Sequence, residues 1–524
     1  MSSKEVNEEM ARTKFGRKIA RVQPYRTADA VNYEHFPAWS MPLDEQFTQL
    51  AFNGIIAHQF YCSEDEILKR GMHVIDAFVQ KDPLKAIEIA ALARNEDFIR
   101  SVNIITLAKA SSASLAAFKE YFDKIILTPR DLVQFIDVMR ETRGLGRAIK
   151  ETMNKWIVAK LGEFYAIKYR KQFKDAISVA HTKFDGDGNA LLGDYVMGKE
   201  ETLGAITEQF PAINAVETLK RINPLIDEAR AIALIQEHRL DWNAVKGIFH
   251  PTAAIWKVLG EQMSAIALVQ NLASLERNAG EAFVLDLVAR KVTVTFLERG
   301  KVFPFTLAQA YMHVASPRIR LAIGKVLDSL ALAHDFAKLG KIAVCPDVSG
   351  SMTNPLVFNK IIRRAGKHPG FPDANMLAPI QIAAMFAGIL CGAMKDARLL
   401  AWTDKVYTEQ DLFGHDKEWR TPTKIMDRLV HIQGGGTFME LPIQHIVEHD
   451  IAIDTLVLIT DSEEWGEGWL GHWRRYKQRH PDARAFLIRV DLYPTRPFSG
   501  DDCERYGITQ IYGFNDMVFK ILLQ

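Results

Sequence analysis

The stretch Lys341–Met352, KIAVCPDVSGSM, constrains this chain more than any other. It opens with Ile342, Ala343 and Val344, an apolar run that fits a buried strand of a parallel sheet. It ends in Asp347-Val348-Ser349-Gly350-Ser351, the pattern D-x-S-x-S. A strand followed by a carboxylate and two hydroxyls at alternate positions gathers three oxygens in one tight loop. Such a loop lies at the carboxyl end of a strand, where open α/β sheets bind ligands. Hard divalent cations take these oxygens, and Mg²⁺ keeps positions for water or an incoming group. The same residues also suit a plain strand-to-helix loop with Asp or Ser as the helix N-cap.

Two later stretches add to the loop. Gln433–Thr437, QGGGT, is a glycine loop ending in a hydroxyl, followed by helix-like Phe438–His449. Asp454–Asp461, DTLVLITD, is a second apolar, β-rich run ending in a carboxylate. Thr437 and Asp461 thus supply one oxygen each from loops after later elements. This order and spacing resembles the metal-ion-dependent adhesion site (MIDAS) of von Willebrand factor A domains. The resemblance implies that Ser349, Ser351 and Thr437 touch one divalent cation, Mg²⁺, while Asp347 and Asp461 act directly or through water.

The rest of the C-terminal part alternates. Strands are expected at Ile342–Val344, Ala397–Trp402, Leu456–Ile459, Ala485–Val490 and Ile508–Tyr512. Helices are expected at Pro379–Lys395, Thr423–His431, Phe438–His449, Trp469–His480 and Asn515–Leu523. Strands separated by helices mean a parallel, doubly wound sheet. Trp465 and Trp469, in SEEWGEGWLGHW, either rim the metal loop or simply pack near it, and packing is preferred.

At 524 residues the chain exceeds what one core usually serves, so two or more domains are expected. With 48% hydrophobic and 25% charged residues, the composition is that of a soluble globular protein. No run of about 18 apolar residues marks a membrane span. The start, MSSKEVNEEMARTK, carries charges where a signal peptide needs an apolar core. Cys62, Cys345, Cys391 and Cys503 lie far apart and read as reduced thiols of a cytoplasmic protein. The net charge of +1 means that any nucleic-acid footprint must be local. Residues 1–38 read as a basic N-terminal arm, with Arg12, Lys14, Arg17, Lys18, Arg21 and Arg26. It is a flexible solvated terminus or a phosphate-contacting arm.

From about Asp44 to Leu339 the pattern is helical. Glu64–Phe78, Pro83–Arg94, Ser101–Lys109, Ser112–Phe122, Pro129–Glu141 and Gly146–Lys160 carry apolar residues three and four apart. Lys81-Asp82-Pro83 and Thr128-Pro129-Arg130 have helix-start chemistry. Lys291–Phe296, KVTVTF, is the one strand-like exception. Paired amphipathic helices in series predict a solenoid-like, HEAT-like stack, without a repeat strict enough to assign a period.

Three pieces of this region carry a further resemblance: AIKYR (Ala166–Arg170) running into KDAISVAH (Lys174–His181), WKVLGEQMSAIALVQNL (Trp256–Leu272) followed by VFPFTLAQAY (Val302–Tyr311), and Arg318–Asp335 leading into the Lys341 strand. Together with the domain that follows, they resemble the TROVE-module RNA-binding proteins of the Ro autoantigen family and its bacterial relatives. The resemblance runs from about residue 40 to the end. It implies an all-α helical-repeat ring at residues 39–339, then a von Willebrand factor A-like domain at 340–524. It also implies small structured Y-like RNA on the ring's outer surface, single-stranded 3′ ends of misfolded RNA in its hole, and a role in RNA quality control. An exoribonuclease such as polynucleotide phosphorylase becomes an expected partner, with the protein a monomer. The A-type domain, joined to the helices by almost no linker, is expected to hold the ring closed.

The candidate RNA contacts are Lys174 and His181, with Arg170 and Lys171 beside them and Arg140, Arg143 and Arg147 in RETRGLGRAIK. Positions 174, 178 and 181 share one helix face, with Ile177 and Ala180 turned inward. Against these readings stand a merely solvated face with a partly buried His181, and arginines paired to Glu141 and Glu151. The chain departs from the family pattern where Ser178 and Gln270 replace basic residues. It also departs in a Lys/Arg/Pro/Gly-rich insertion at 355–379 that includes Arg363, Arg364, Lys367 and His368. No P-loop, HExxH, nucleophile elbow or dinucleotide fingerprint is present, so catalysis is not expected. The competing reading is a protein-interaction adaptor whose metal site recruits an acidic partner.

Overall fold

A computed structural model describes residues 28–53, 64–96, 99–300, 302, 304–332, 336–353, 378–432, 434–462, 468–491, 493–513 and 516–523. The basic residues of the N-terminal arm, the bulk of the 355–379 insertion, Cys62, Gln433 and Trp465 lie outside them. The chain forms two compact units.

The helical unit spans Ile75–Leu327 among the described residues. Pro83–Glu96 packs on Ser101–Ala113 and Leu115–Ile125, Ser101–Ala113 on Pro129–Thr142, and Pro129–Thr142 on Arg170–Ala180. Farther along, Ala265–Ala279 packs on Ala253–Gln262 and Pro304–His313. Each helix covers its neighbours' apolar stripe, as a helical-repeat stack requires. The start signals work as expected. Asp82 Oδ1 accepts from Lys85 N at 3.0 Å. Thr128 and Asp131 form a capping box at Pro129–Thr142. Asp131 is fully buried and also binds Arg94 at 2.9 Å and Arg100 at 2.8 Å. KVTVTF is not a strand: Glu281–Lys291 ends there and Val294–Arg299 begins, with Thr293 as the side-chain N-cap. Of its alternating apolar residues only Val292 is buried, and it sits at the junction between the two helices.

The second unit is α/β. Its central sheet is parallel, in the order β10 (Ile508–Tyr512), β8 (Arg484–Arg489), β7 (Thr455–Thr460), β3 (Ile342–Pro346), β4 (Arg398–Leu399). β3 is buried at every position, as its unbroken apolar run requires. Helices Pro379–Ala393, Pro422–Leu429, Glu440–Glu448 and Trp469–Arg479 alternate with the strands, which is the doubly wound arrangement expected. The run expected as one strand at Ala397–Trp402 divides instead. β4 joins β3, while β5 (Ala401–Trp402) pairs antiparallel with β6 (Val406–Tyr407). Trp469 packs in the core with Trp473 and Phe498, so it is a packing residue.

Among the described residues, contacts divide the chain after Val74 and after Leu327. The described residues up to Val74 and from Asp328 onward belong to the α/β unit. β1 (Ala30–Val31) pairs with β2 (Pro37–Ser40), and β2 pairs antiparallel with β9 (Thr495–Arg496). In helix Leu43–Asn53, Gln49 and Asn53 donate to the Asp491 carbonyl at 3.1 and 2.6 Å. Glu45 pairs with Arg496 and accepts from the Tyr512 hydroxyl. Asp491 itself holds the fully buried Arg489 at 2.6 Å. The segment expected to open the helical stack is therefore covered by the end of the sheet, burying Trp39, Phe47 and Leu50 there.

Candidate functional sites

The cation-site candidates converge at the carboxyl end of β3. Asp347 N donates to Ile459 O at 2.9 Å and Val348 N to Trp402 O at 3.0 Å, which pins the loop between β7 and β5. Asp347 Oδ1 accepts from Ser349 N at 2.9 Å, and Oδ2 accepts from Thr460 Oγ1 at 2.6 Å. Ser349 Oγ and Ser351 Oγ lie 3.2 Å apart. All five candidates are buried, with Asp347 and Ser349 at 0%, Thr437 and Asp461 at 3% and Ser351 at 7% exposure. Burial pushes the Asp347 carboxyl up to about 6, against the pull of its hydrogen bonds from Thr460 and Ser349.

Backbone bonds bring the glycine loop to the same place. Gly350 N donates to Gly435 O at 3.3 Å, and Phe438 N to Thr403 O at 3.3 Å. Gly435 has φ +105°, and a Cβ there would sit 2.7 Å from Thr403 Cβ. Only glycine fits, so this close approach fixes the loop that carries Thr437. Asp461 follows β7 directly, next to the Thr460 that bonds Asp347.

Asp347, Ser349 and Ser351 are thus joined by direct bonds, and the elements bearing Thr437 and Asp461 are seated against them. The donor chemistry fits one hard cation. Three hydroxyls offer neutral oxygens, and the Asp347 oxygens, already accepting bonds, suit a water-mediated role. Sequence reading missed Thr460, Thr403 and Asp404, the last accepting from Thr403 Oγ1 at 2.8 Å beside Gly435. Successive strand residues point to opposite faces, so a pattern that uses Asp461 passes over Thr460.

The RNA-contact candidates are arranged differently. On helix Arg170–Ala180, Phe173, Ala176, Ile177 and Ala180 are buried, while Lys171, Lys174 and Ser178 are exposed. His181 caps the helix in the left-handed region, φ 56°, and is exposed rather than a core histidine. Ser178 Oγ donates to Lys174 O at 2.8 Å, so this hydroxyl bonds its own helix. Arg170 turns to the unit itself, with its guanidinium 4.3 Å from the Tyr195 ring centroid and 3.9 Å from the Glu217 carboxylate.

The three arginines of RETRGLGRAIK are each engaged locally. Arg140 lies 3.8 Å from Asp137 and Arg147 is 2.9 Å from Glu151. Arg143 donates to Ser111 O at 2.8 Å, tying down the end of helix Ser101–Ala113. Gln270, the other departure, is exposed on helix Ala265–Ala279.

Fold and site define a class: a helical-repeat unit combined with an α/β unit whose D-x-S-x-S loop gathers buried oxygens at the carboxyl end of β3. No profile of a known protein family matches the chain. It is 23% identical over 514 residues to "RNA-binding protein RO60" of Deinococcus radiodurans, covering 90% of each chain. The crystal structure of the Deinococcus radiodurans Ro (RSR) protein superposes with a TM-score of 0.61 at 17% identity. That match covers 92% of this chain and 99% of the other. The chain is thus similar over nine-tenths of its length to a bacterial Ro protein and shares the fold of the Ro structure.

Proposed function

We propose that this protein binds RNA as a ribonucleoprotein scaffold and acts by binding rather than by catalysis. The observation that carries the reading is the exposed face of Lys171, Lys174 and His181 on a helix whose opposite side is core, in a chain alike over nine-tenths of its length to a named RNA-binding protein. Exposed ammonium groups neutralise phosphate and release counterions. An exposed histidine hydrogen-bonds phosphate or stacks on a base. In this reading the helical unit takes a small structured Y-like RNA and the single-stranded 3′ ends of misfolded RNA, for quality control or degradation. An exoribonuclease such as polynucleotide phosphorylase is the fitting degradative partner for a cytoplasmic monomer of this kind. Among the described residues no helix is long and apolar enough to cross a membrane.

The α/β unit adds a second binding function. Ser349, Ser351 and Thr437 would hold Mg²⁺, with Asp347 and Asp461 balancing its charge. The cation would then present an open position to a partner's carboxylate. Taken alone, this buried, hydroxyl-rich site favours the reading as a protein-interaction adaptor.

The deciding experiment uses the full chain, because a cut after residue 339 would strip β2 and helix Leu43–Asn53 of β9 and Asp491. A hairpin RNA with an unpaired 3′ tail, and the same hairpin without it, are titrated against the protein and against Lys171→Glu/Lys174→Glu. Tight, salt-sensitive binding that favours the tail and falls in the variant supports the scaffold reading. No RNA binding, with retained cation-dependent capture of carboxylate partners, leaves the adaptor.

A further inference from the structure

Helix Glu163–Lys168 carries an aromatic and cationic cluster that the basic face does not include. Phe164 is 52% exposed, and among the described residues of the helical unit it is the sole Phe, Tyr or Trp that is more than about a third exposed. One exposed apolar side chain needs no explanation. Phe164 is not alone: its ring centroid lies 5.8 Å from that of Tyr165, and Tyr165 meets Tyr169 edge-on at 5.4 Å. The Lys168 ammonium sits 5.3 Å from the Phe164 centroid and 5.8 Å from that of Tyr169. It also pairs with Asp241 at 3.1 Å, which brings in the next residue, Trp242, with Lys246 5.9 Å from its ring.

The cluster is held in place. Glu163 Oε1 accepts from Ala212 N at 2.7 Å and Ile213 N at 3.1 Å, and Ala166 is fully buried beneath it. Rings fixed at a surface, with cations at their faces, match what unpaired bases require: a π-face to stack on and positive charge near the phosphates.

We propose that Phe164, with Tyr165, Tyr169 and the adjoining Trp242–Lys246 pair, forms a stacking platform for the unpaired bases of single-stranded RNA. The proposal rests on the RNA-binding reading above and names a site for it. Asp241 already balances Lys168, so the platform contributes through stacking more than through charge. Lys171 and Lys174, on the following helix, supply the phosphate contacts.

The test uses the full chain, a labelled oligoadenylate of about 12 nucleotides, and a ribose-phosphate chain of equal length without bases. Phe164→Ala removes an exposed ring and should weaken oligoadenylate binding on the order of tenfold, at unchanged salt slope. It should leave the base-free strand unaffected, and Phe164→Trp should restore binding. Equal affinity of Phe164→Ala and parent for oligoadenylate would overturn the platform while leaving RNA binding intact. Equal losses on both strands would also overturn it, since they would mark a change in charge or structure. A parent protein that binds neither strand would overturn the RNA-binding reading and the platform together.

Discussion

In the α/β unit, Asp347, Ser349, Ser351, Thr437 and Asp461 are all nearly closed off from solvent and set by backbone bonds among four segments. In the helical unit, Lys171, Lys174 and His181 stand in solvent on one helix. The difference follows from what each site would hold. A small hard cation demands several oxygens at one point, so its ligands must be assembled and immobile. Phosphate is recognised mainly by charge at a distance, which flexible surface lysines supply without fixed geometry. The first site should therefore respond to single substitutions and to protons, the second to salt and to the number of charges.

The largest effect should come from Asp347→Ala. It removes the carboxylate that orders Ser349 and Thr460. Isothermal titration with Mg²⁺ or Mn²⁺ should show no measurable binding, while salt-sensitive RNA binding persists. Parental cation binding in the variant would dissolve the contrast between the two regions.

The same carboxyl gives a pH signature. Its folded value of about 6 lies above the ordinary carboxylate range, so the folded protein keeps a proton that the unfolded chain has released. In protein stripped of divalent ions, this group's stabilising effect is fully present below the unfolded value. It is lost as pH rises through about 6, with a change on the order of 1–3 kcal/mol. Cation affinity should change the opposite way, rising with pH through the same window. A flat cation affinity between pH 5 and 7 would remove Asp347 from the site.

Gly435→Ala comes next. Its positive φ and the 2.7 Å approach to Thr403 should cost about 1–3 kcal/mol in thermal or urea unfolding. Cation affinity should drop with it, because the loop carrying Thr437 must shift. Unchanged stability would mean that the glycine loop adapts.

For the helical unit, Lys171→Glu/Lys174→Glu should lower RNA affinity on the order of tenfold and flatten the dependence of log affinity on log salt by roughly two phosphate contacts. Cation binding should not move. If affinity falls with no change in salt slope, the two lysines act through structure and not on phosphate.

Ser178→Arg should do the reverse, by a few-fold at most, since it adds one exposed charge four residues after Lys174. Arg147→Ala should be nearly silent, within about twofold, because its guanidinium is already paired with Glu151 at the surface. A large loss in Arg147→Ala would return the arginine segment to the RNA face.

The candidate cation site was legible as a set of oxygens because D-x-S-x-S, QGGGT and LITD are local patterns, each placed by its own strand or loop. The helix face of Lys174, Ser178 and His181 was legible for a similar reason. Helical period alone turns Ile177 and Ala180 inward and those three outward. The fate of Arg143 was not, since its partner Ser111 lies 32 residues away on another helix. Nor was Thr460, whose partner Asp347 lies 113 residues earlier in the chain.

What the sequence by itself determined was the class of each region: apolar residues three and four apart made helices before residue 328, and apolar strands between helices made a parallel sheet after it. It also determined the oxygen-bearing loop, because a strand's carboxyl end and its next residues are covalently one piece. Only the tertiary structure decided where the units divide. β2 is only four residues long and does not read as a strand in the sequence, yet it pairs with β9, more than 450 residues away. Gln49, Asn53 and Glu45 follow it to Asp491, Arg496 and Tyr512. Hydrogen-bonding groups must find partners wherever the folded chain offers them, and periodicity carries no record of partners so distant in sequence.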